Sequence, residues 1–567
     1  MTEGLRKGYT YLYESYKKIM LSNAFVCQDL RLFTKTLRRQ AFIQIKVLFL
    51  HYKSKIRDME RLKRQTNKLQ EIKTITDNRY TEMKRTIFPY DFSPYYPIGI
   101  QPCPMYVDAA NRIYDRMKDM DINLPNDDKL RKEIAINVAI YYEDKMSGIG
   151  LWNAFVGKHM LKYAHSLPFF DDYDVLDKND VNTKEMELLV WFVLTRNFDD
   201  RFLNPLAMQE DATNIIMEVL TEDDEVEENW ALHNFIYNPD TANDYFKLKN
   251  VLIWLRRSYL LCSPLSEDRF ERYADSYLEH FNKSEATYYA ETSFSMNCEI
   301  GPMAEKAHLW LADMYLGNDM HEESEKLRSL KYCQQDLFEV IDADSEYAVV
   351  KNSNDEEYKM KNAYPDIIFK GSYFCTALVK FADNDWEING VVFNVNKAIY
   401  DKKHEQQATL KKSYECAYPL YMKRTNGKRL AFFEETKQQK EWLKKITPEM
   451  DMDHFGYQLP SGQQVVFISE KAGLIFAPDI IHAIKCSYNP YYKKCDAYTL
   501  QQETMDALIN TKIMHPELLH YLLENNMLQD GDLNGNYPSE LGKHIFTRNI
   551  DFIARNHRRH LYWDHDF

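Results

Sequence analysis

The chain has 567 residues, 45% of them hydrophobic and 28% charged, a balance that excludes a wholly disordered or fibrous protein. Its length leaves room for three or four domains at about 150 residues each, and only 17 Gly and 19 Pro argue against a loop-rich or mostly β fold. The net charge of −14 is unevenly spread: residues 1–85 hold 20 Lys and Arg against 8 Asp and Glu, a net of +12, which leaves −26 on the remainder.

Residues 1–85 read as a basic helical N-terminal segment. Residues 5–85 lack Pro, and Leu48, Leu50 and Ile56 recur among Lys53, Lys55, Arg57, Arg61, Lys63 and Arg64. Such a segment suits a solvated helical face, contact with a polyanion or a membrane surface, or a fused or over-extended stretch ahead of an alternative start at Met83. The N-terminus leads into no apolar signal core. The apolar run from Ala41 to Leu50 contains Lys46 and falls far short of the roughly 20 residues a spanning helix needs. A cytoplasmic protein is expected.

Pro89, Pro94 and Pro97 forbid a helix in the junction that follows. Residues 86–335 then read as a helical body. Expected helices are Met105 to Asp119, Leu130 to Lys145, Phe246 to Cys262, and Glu267 to Phe281 with Ser266 as N-cap. Glu187 to Leu194 is apolar nearly all round and should be a central buried helix around Trp191. The acidic run from Glu222 to Glu228 should be an exposed loop.

The composition changes near residue 336. Residues 336–394 carry five short strand patterns separated by Asp/Asn/Ser turns, as in a small SH3-like β-barrel. Residues 395–505 are a mixed α/β region with a charged helix, Glu434 to Lys445, and a strand–turn element from Gln464 to Phe476. Residues 506–567 form a helical tail. There the Pro516-Glu517-Leu518-Leu519 and Ile550-Asp551-Phe552-Ile553 elements stand about one ankyrin period apart. The tail reads as an ankyrin-like cap or a plain helical hairpin. The whole is expected to be a mainly α-helical α+β protein.

Chemistry-bearing motifs are few. Nine Cys, an odd number without any C-x-x-C pair, point to reduced, buried thiols rather than disulfides or zinc. Asp530, Asp532 and Asn534, followed by Gly535, copy the opening of an EF-hand calcium loop. The bidentate Glu due at the twelfth place is replaced by Leu541, so no metal site is expected there. Glu143 and Asp144 end an apolar helix beside Gly148, Gly150 and Trp152. They are the only candidates for an acid/base or Mg²⁺-binding pair. Adjacent helical residues point about 100° apart, which works against a shared site and for one buried, hydrogen-bonded carboxylate with a Gly C-cap. The tip holding His557, Arg558, Arg559, His560, Trp563 and His565 reads as a solvated terminus. No Walker A, G-x-S-x-G or kinase signature is present.

From about residue 88 onward the chain resembles an uncharacterised bacterial family of gut anaerobes, known only as domain of unknown function thirty-eight forty-three. The resemblance rests on Tyr142-Glu143-Asp144-x-x-Ser147-Gly148-x-x-x-Trp152-Asn153-Ala154-Phe155, on Leu167-Pro168-Phe169-Phe170-Asp171 and on Asn549-Ile550-Asp551-Phe552. It implies no activity. The expected function is binding or interaction without catalysis and without a cofactor, with a protein partner. The alternatives are a metal-dependent hydrolase using Glu143 and Asp144, and a nucleic-acid-associated protein acting through residues 1–85. What separates them is whether carboxylates and histidines from distant segments meet in one pocket.

Overall fold

A computed structural model of the chain describes residues 85–119, 127–170, 181–197, 210–222, 227–278, 282–382, 384–448, 459–470, 473–510, 515–528 and 548–558. The basic segment thus lies outside the described residues except for Arg85, as do Asp530, Asp532, Asn534, most of the acidic run and the terminal tip beyond Arg558. The chain divides into two units, residues 1–85 and 86–567, and every described helix and strand belongs to the second.

The helical body begins with α1 (Pro104–Asp119), α2 (Asp128–Met146), α3 (Leu151–Tyr163) and α4 (Thr183–Arg196). It continues through α5 (Glu210–Leu220), α6 (Trp230–Tyr237), α7 (Pro239–Ala242), α8 (Tyr245–Leu255), α9 (Pro264–Leu278) and α10 (Lys283–Asn297). A two-stranded hairpin, β1 (Glu299–Ile300) and β2 (Glu305–Lys306), leads into α11 (Ala307–Gly317) and α12 (His321–Arg328).

Local chemistry explains the helix starts. Asp127 accepts from the amides of Lys129 and Leu130, and Asn182 from that of Lys184, so each caps its helix. In α4 every residue from Leu188 to Leu194 is buried, and Trp191 is 0% exposed. Two expectations are corrected. Ser266 is not an N-cap: the Ser263 hydroxyl accepts from the Ser266 amide at 3.1 Å, and Pro264 occupies the first helical position, where its missing N–H costs nothing. The proline-rich junction is not free of helix, because Pro89–Phe92 forms one 3₁₀ turn with proline at its start.

The strand region is a curled six-stranded sheet of β3 (Lys331–Ala343), β4 (Tyr347–Asn352), β5 (Glu357–Lys361), β6 (Tyr373–Lys380), β7 (Glu387–Ile388) and β8 (Phe393–Val395). The order is β5-β4-β3-β6-β7, with β8 also on β6. Register shifts at Val340/Asp342 and Cys333/Asp336 bend β3. The curl brings the two edges together, where the Lys361 amide donates to the Trp386 carbonyl at 2.9 Å. The last expected strand is split in two, with Gly390 at φ +122° between the halves. Phe338, Val350, Met360 and Phe374 fill a small core inside the curl.

Helix α13 (Lys397–Arg424) leads to β9 (Leu430–Phe433), α14 (Thr436–Ile446), β10 (Gln464–Ser469) and β11 (Gly473–Pro478). The three strands form an antiparallel sheet with β10, buried along its whole length, in the middle. The last described helices are α15 (Ala497–Ile509), α16 (Pro516–Glu524) and α17 (Ile550–Arg558), and α17 packs on both α15 and α16. The expected ankyrin resemblance would need the residues between α16 and α17, most of which lie outside the described set. Among the cysteines whose side chains are described none forms a disulfide, Cys298 is buried and the others are half-buried. No described helix is long and apolar enough to cross a membrane.

Candidate functional site

Glu143 and Asp144 are both buried, at 0% and 3% exposure, at the C-terminal end of α2. They face different partners. Glu143 accepts from the Tyr96 hydroxyl, from the Cys103 amide at 2.9 Å and from Asn229 Nδ2 at 3.0 Å. Asp144 accepts from the amides of Leu151 at 3.0 Å and Trp152 at 2.8 Å, and from the Tyr259 hydroxyl at 2.7 Å. It therefore caps α3, whose own N-cap, Gly150, has no side chain to do so. Between the helices the chain makes a Schellman turn. The Ile149 amide donates to the Asp144 carbonyl at 3.0 Å, and Gly148 takes the left-handed conformation at φ +62°.

Burial raises the pKa of both carboxyls, while these donors pull the other way. The neighbouring Cys103 thiol is pushed up to about 12 by burial and by the Glu143 carboxylate, so it stays protonated at neutral pH. Among the described residues, no three His, Cys, Asp or Glu side chains are grouped to hold a metal ion. The adjacent Lys145, also buried, lies 3.4 Å from Glu185, which accepts from the Tyr141 hydroxyl as well.

The three motifs of the family resemblance meet in space. Phe552 of α17 packs its ring against Phe169 at 5.8 Å, Phe155 at 6.2 Å and Phe192 at 6.3 Å. Asn549 accepts from the Phe169 amide at 3.2 Å. Asp551 accepts from the Tyr163 hydroxyl at 2.5 Å and pairs with His520 and Arg555. Sequence reading placed Phe155, Phe169 and Phe192 in the helical body and Phe552 in the tail, and here their rings pack together.

Beside that core lies a cleft of about 480 Å³, within the range of small-molecule sites. Lys162 of α3, Lys306 and His308 at the start of α11, Arg328 of α12 and Arg555 of α17 line it. Its acidic lining residues are Glu299 and Glu305. Glu305 pairs with Lys158, Arg328 with Asp313, and Arg555 with Asp551. His308 is 8% exposed, and its Nδ1 has no hydrogen-bond partner. Its pKa is lowered to about 4 by burial, then by the charges of Lys306 and Lys158. That of Lys162 is lowered by partial burial and then by Arg555. Gly301, at φ +72°, fixes the hairpin wall, since a Cβ there would come within 2.4 Å of Leu261. None of these lining residues was singled out from sequence. They come from five separate elements, and no spacing links positions 162, 306, 308, 328 and 555.

Fold and cleft together define a mixed α/β protein in which a helical body, sealed by its own C-terminal helix, frames a basic cleft. The family described as a protein of unknown function (DUF3843) matches residues 86–364 and 386–559, and the chain belongs to it. No curated protein and no solved structure matches the chain.

Proposed function

We propose that this protein is a binding protein without catalytic activity, and that its ligand is a small anion held in the cleft at the start of α11. The observation that supports this reading is the cleft lining, where Lys162, Lys306 and the buried imidazole of His308 stand together. Arg328 and Arg555 are already paired with Asp313 and Asp551, so Lys162 and Lys306 are the lining cations that favour an anion. The curled sheet, read as an SH3-like barrel, and an ankyrin-like tail would add surfaces for a protein partner, and a cytoplasmic setting fits such a role. The alternative of a hydrolase using Glu143 and Asp144 draws less support, because both carboxylates are occupied by backbone and tyrosine donors.

The test is thermal unfolding of the full chain with a panel of neutral, cationic and anionic metabolites. Stabilisation by anions alone, lost in Lys162→Met, is the expected result. Stabilisation by none of them, or equally by neutral compounds, would sink the proposal.

A further inference from the structure

We infer that Lys249 of α8 is a covalent seat for a small uncharged aldehyde, which its amine takes up as an imine beside the Tyr288 phenol of α10. The inference does not depend on the anion reading of the basic cleft.

The first observation is a buried amine without a counter-charge. Lys249 is 6% exposed. Its Nζ donates to the Tyr288 hydroxyl at 3.2 Å and lies 4.9 Å from the centre of that ring. Among the described residues no carboxylate pairs with it, and burial alone lowers its pKa, to about 8. An ammonium group held this way loses hydration and gains no ion pair, so the neutral amine gains ground. At pH 7 about a tenth of the side chain is then the free nucleophile, against roughly four parts in ten thousand for an ordinary lysine near 10.4. A desolvated lysine of this kind is suited to imine formation with carbonyl compounds.

The second observation is the phenol. Tyr288 is 46% exposed, so the amine bonded to it stands one side chain from solvent. Burial raises the Tyr288 pKa, which keeps the hydroxyl protonated. The nitrogen lone pair attacks the aldehyde carbon, and a proton passes from nitrogen to oxygen to give the carbinolamine. The phenol proton then goes to the carbinolamine hydroxyl, the C–O bond breaks and water leaves. The C=N bond forms from the nitrogen lone pair, and the remaining N–H proton returns to the phenolate. The product is a neutral imine, which a buried position tolerates better than an ion.

The surroundings select the carbonyl compound. Tyr245 and Phe246, four and three residues before Lys249 and so on its side of α8, line a cavity of about 270 Å³ together with Phe381. Helical side chains lean toward the N-terminus, which carries the Lys249 stem over this turn. Asp244, Asp385 and Glu387 also line the cavity and, among the described residues, no cationic side chain does. An anionic keto acid is therefore disfavoured, and a neutral aldehyde with a short apolar chain is favoured.

The experiment incubates the full chain at pH 7 with propanal and cyanoborohydride, which fixes the imine as propyl-lysine, and reads each lysine by peptide mass mapping. Lys247, with 55% side-chain exposure on the same helix, is the internal reference. Lys249 should be labelled about tenfold faster than Lys247 or more, and its rate should level off above about pH 8. Tyr288→Phe keeps the ring and should slow Lys249 about tenfold while leaving Lys247 unchanged, the loss of a positioned proton donor. Pyruvate in place of propanal should label Lys249 poorly. Labelling of Lys249 no faster than that of Lys247 would overturn the proposal. Pyruvate as effective as propanal would overturn the assignment to a neutral aldehyde, and a Lys249 rate unchanged in Tyr288→Phe would overturn the part given to the phenol.

Discussion

Lys145 and Glu185 show only 4% and 1% side-chain exposure, with 3.4 Å between Nζ and Oε2. Removing one partner strands the other charge in the interior. Lys145→Met should therefore destabilise the protein by about 3–5 kcal/mol, read from urea unfolding. Adding Glu185→Leu should recover part of that loss, and a double variant no better than the single one would show that the pair is not the cause. Asp551 makes a second prediction at this scale. Burial works to raise its pKa, but the His520 hydrogen bond, the charges of Arg555 and His520 and the Tyr163 hydroxyl outweigh it and hold the carboxyl well below the usual range. An acid depressed in the folded state contributes stability above its unfolded pKa, about 4, and loses it as pH falls toward the folded value. The acid limb of stability below about pH 4 should thus be shallower in Asp551→Asn than in wild type, which a pH series of denaturant melts would measure. At the residue scale sequence showed that Glu143 and Asp144 stand out and that Gly148 follows a helix end. It did not show that Asp144 caps the next helix, because that depends on how α2 and α3 cross.

Helix α4 was legible at the element scale because an apolar sequence on all faces leaves no other home than a core. Trp191 is 0% exposed and lies 5.0 Å from the Phe169 ring. Trp191→Ala should cost about 3–5 kcal/mol in urea unfolding, and a change near zero would contradict the packing. Helix α17 was less legible. Its Ile-Asp-Phe-Ile pattern predicts a helix but names no neighbour, and its docking joins residues 169 and 549, which lie 380 positions apart. Phe552 is its anchor, with 1% exposure. Phe552→Ala should release α17, so that amide exchange across residues 550–558 rises while α4 stays protected. The cap of α9 was misread for a local reason. Ser263 and Ser266 both precede an apolar pattern, and only the position of Pro264 between them tells which one lies outside the helix.

At the scale of the whole molecule, sequence reading cut the chain at changes of composition, whereas burial follows contacts between distant segments. One cluster of buried side chains runs from Ile87 to Ile553, taking in the helical body, the three-stranded sheet and the tail helices, and the curled sheet keeps a second core of its own. The family match begins at residue 86, so a chain beginning at Met83 keeps all of it and should fold with a melting temperature close to that of the full protein. The same comparison tests the basic segment. Residues 1–85 carry +12, but the protein as a whole carries −14, so long-range attraction to a polyanion is opposed by the remaining charge. Each phosphate a protein neutralises releases counterions, and log K falls with log salt by about 0.9 per contact on duplex DNA. A segment that engaged many phosphates would betray itself by a steep slope. We expect neither chain to bind duplex DNA, single-stranded DNA or RNA below micromolar concentration at moderate salt. Sub-micromolar, salt-steep binding by the full chain alone would reverse that expectation and put nucleic-acid association ahead of small-ligand binding.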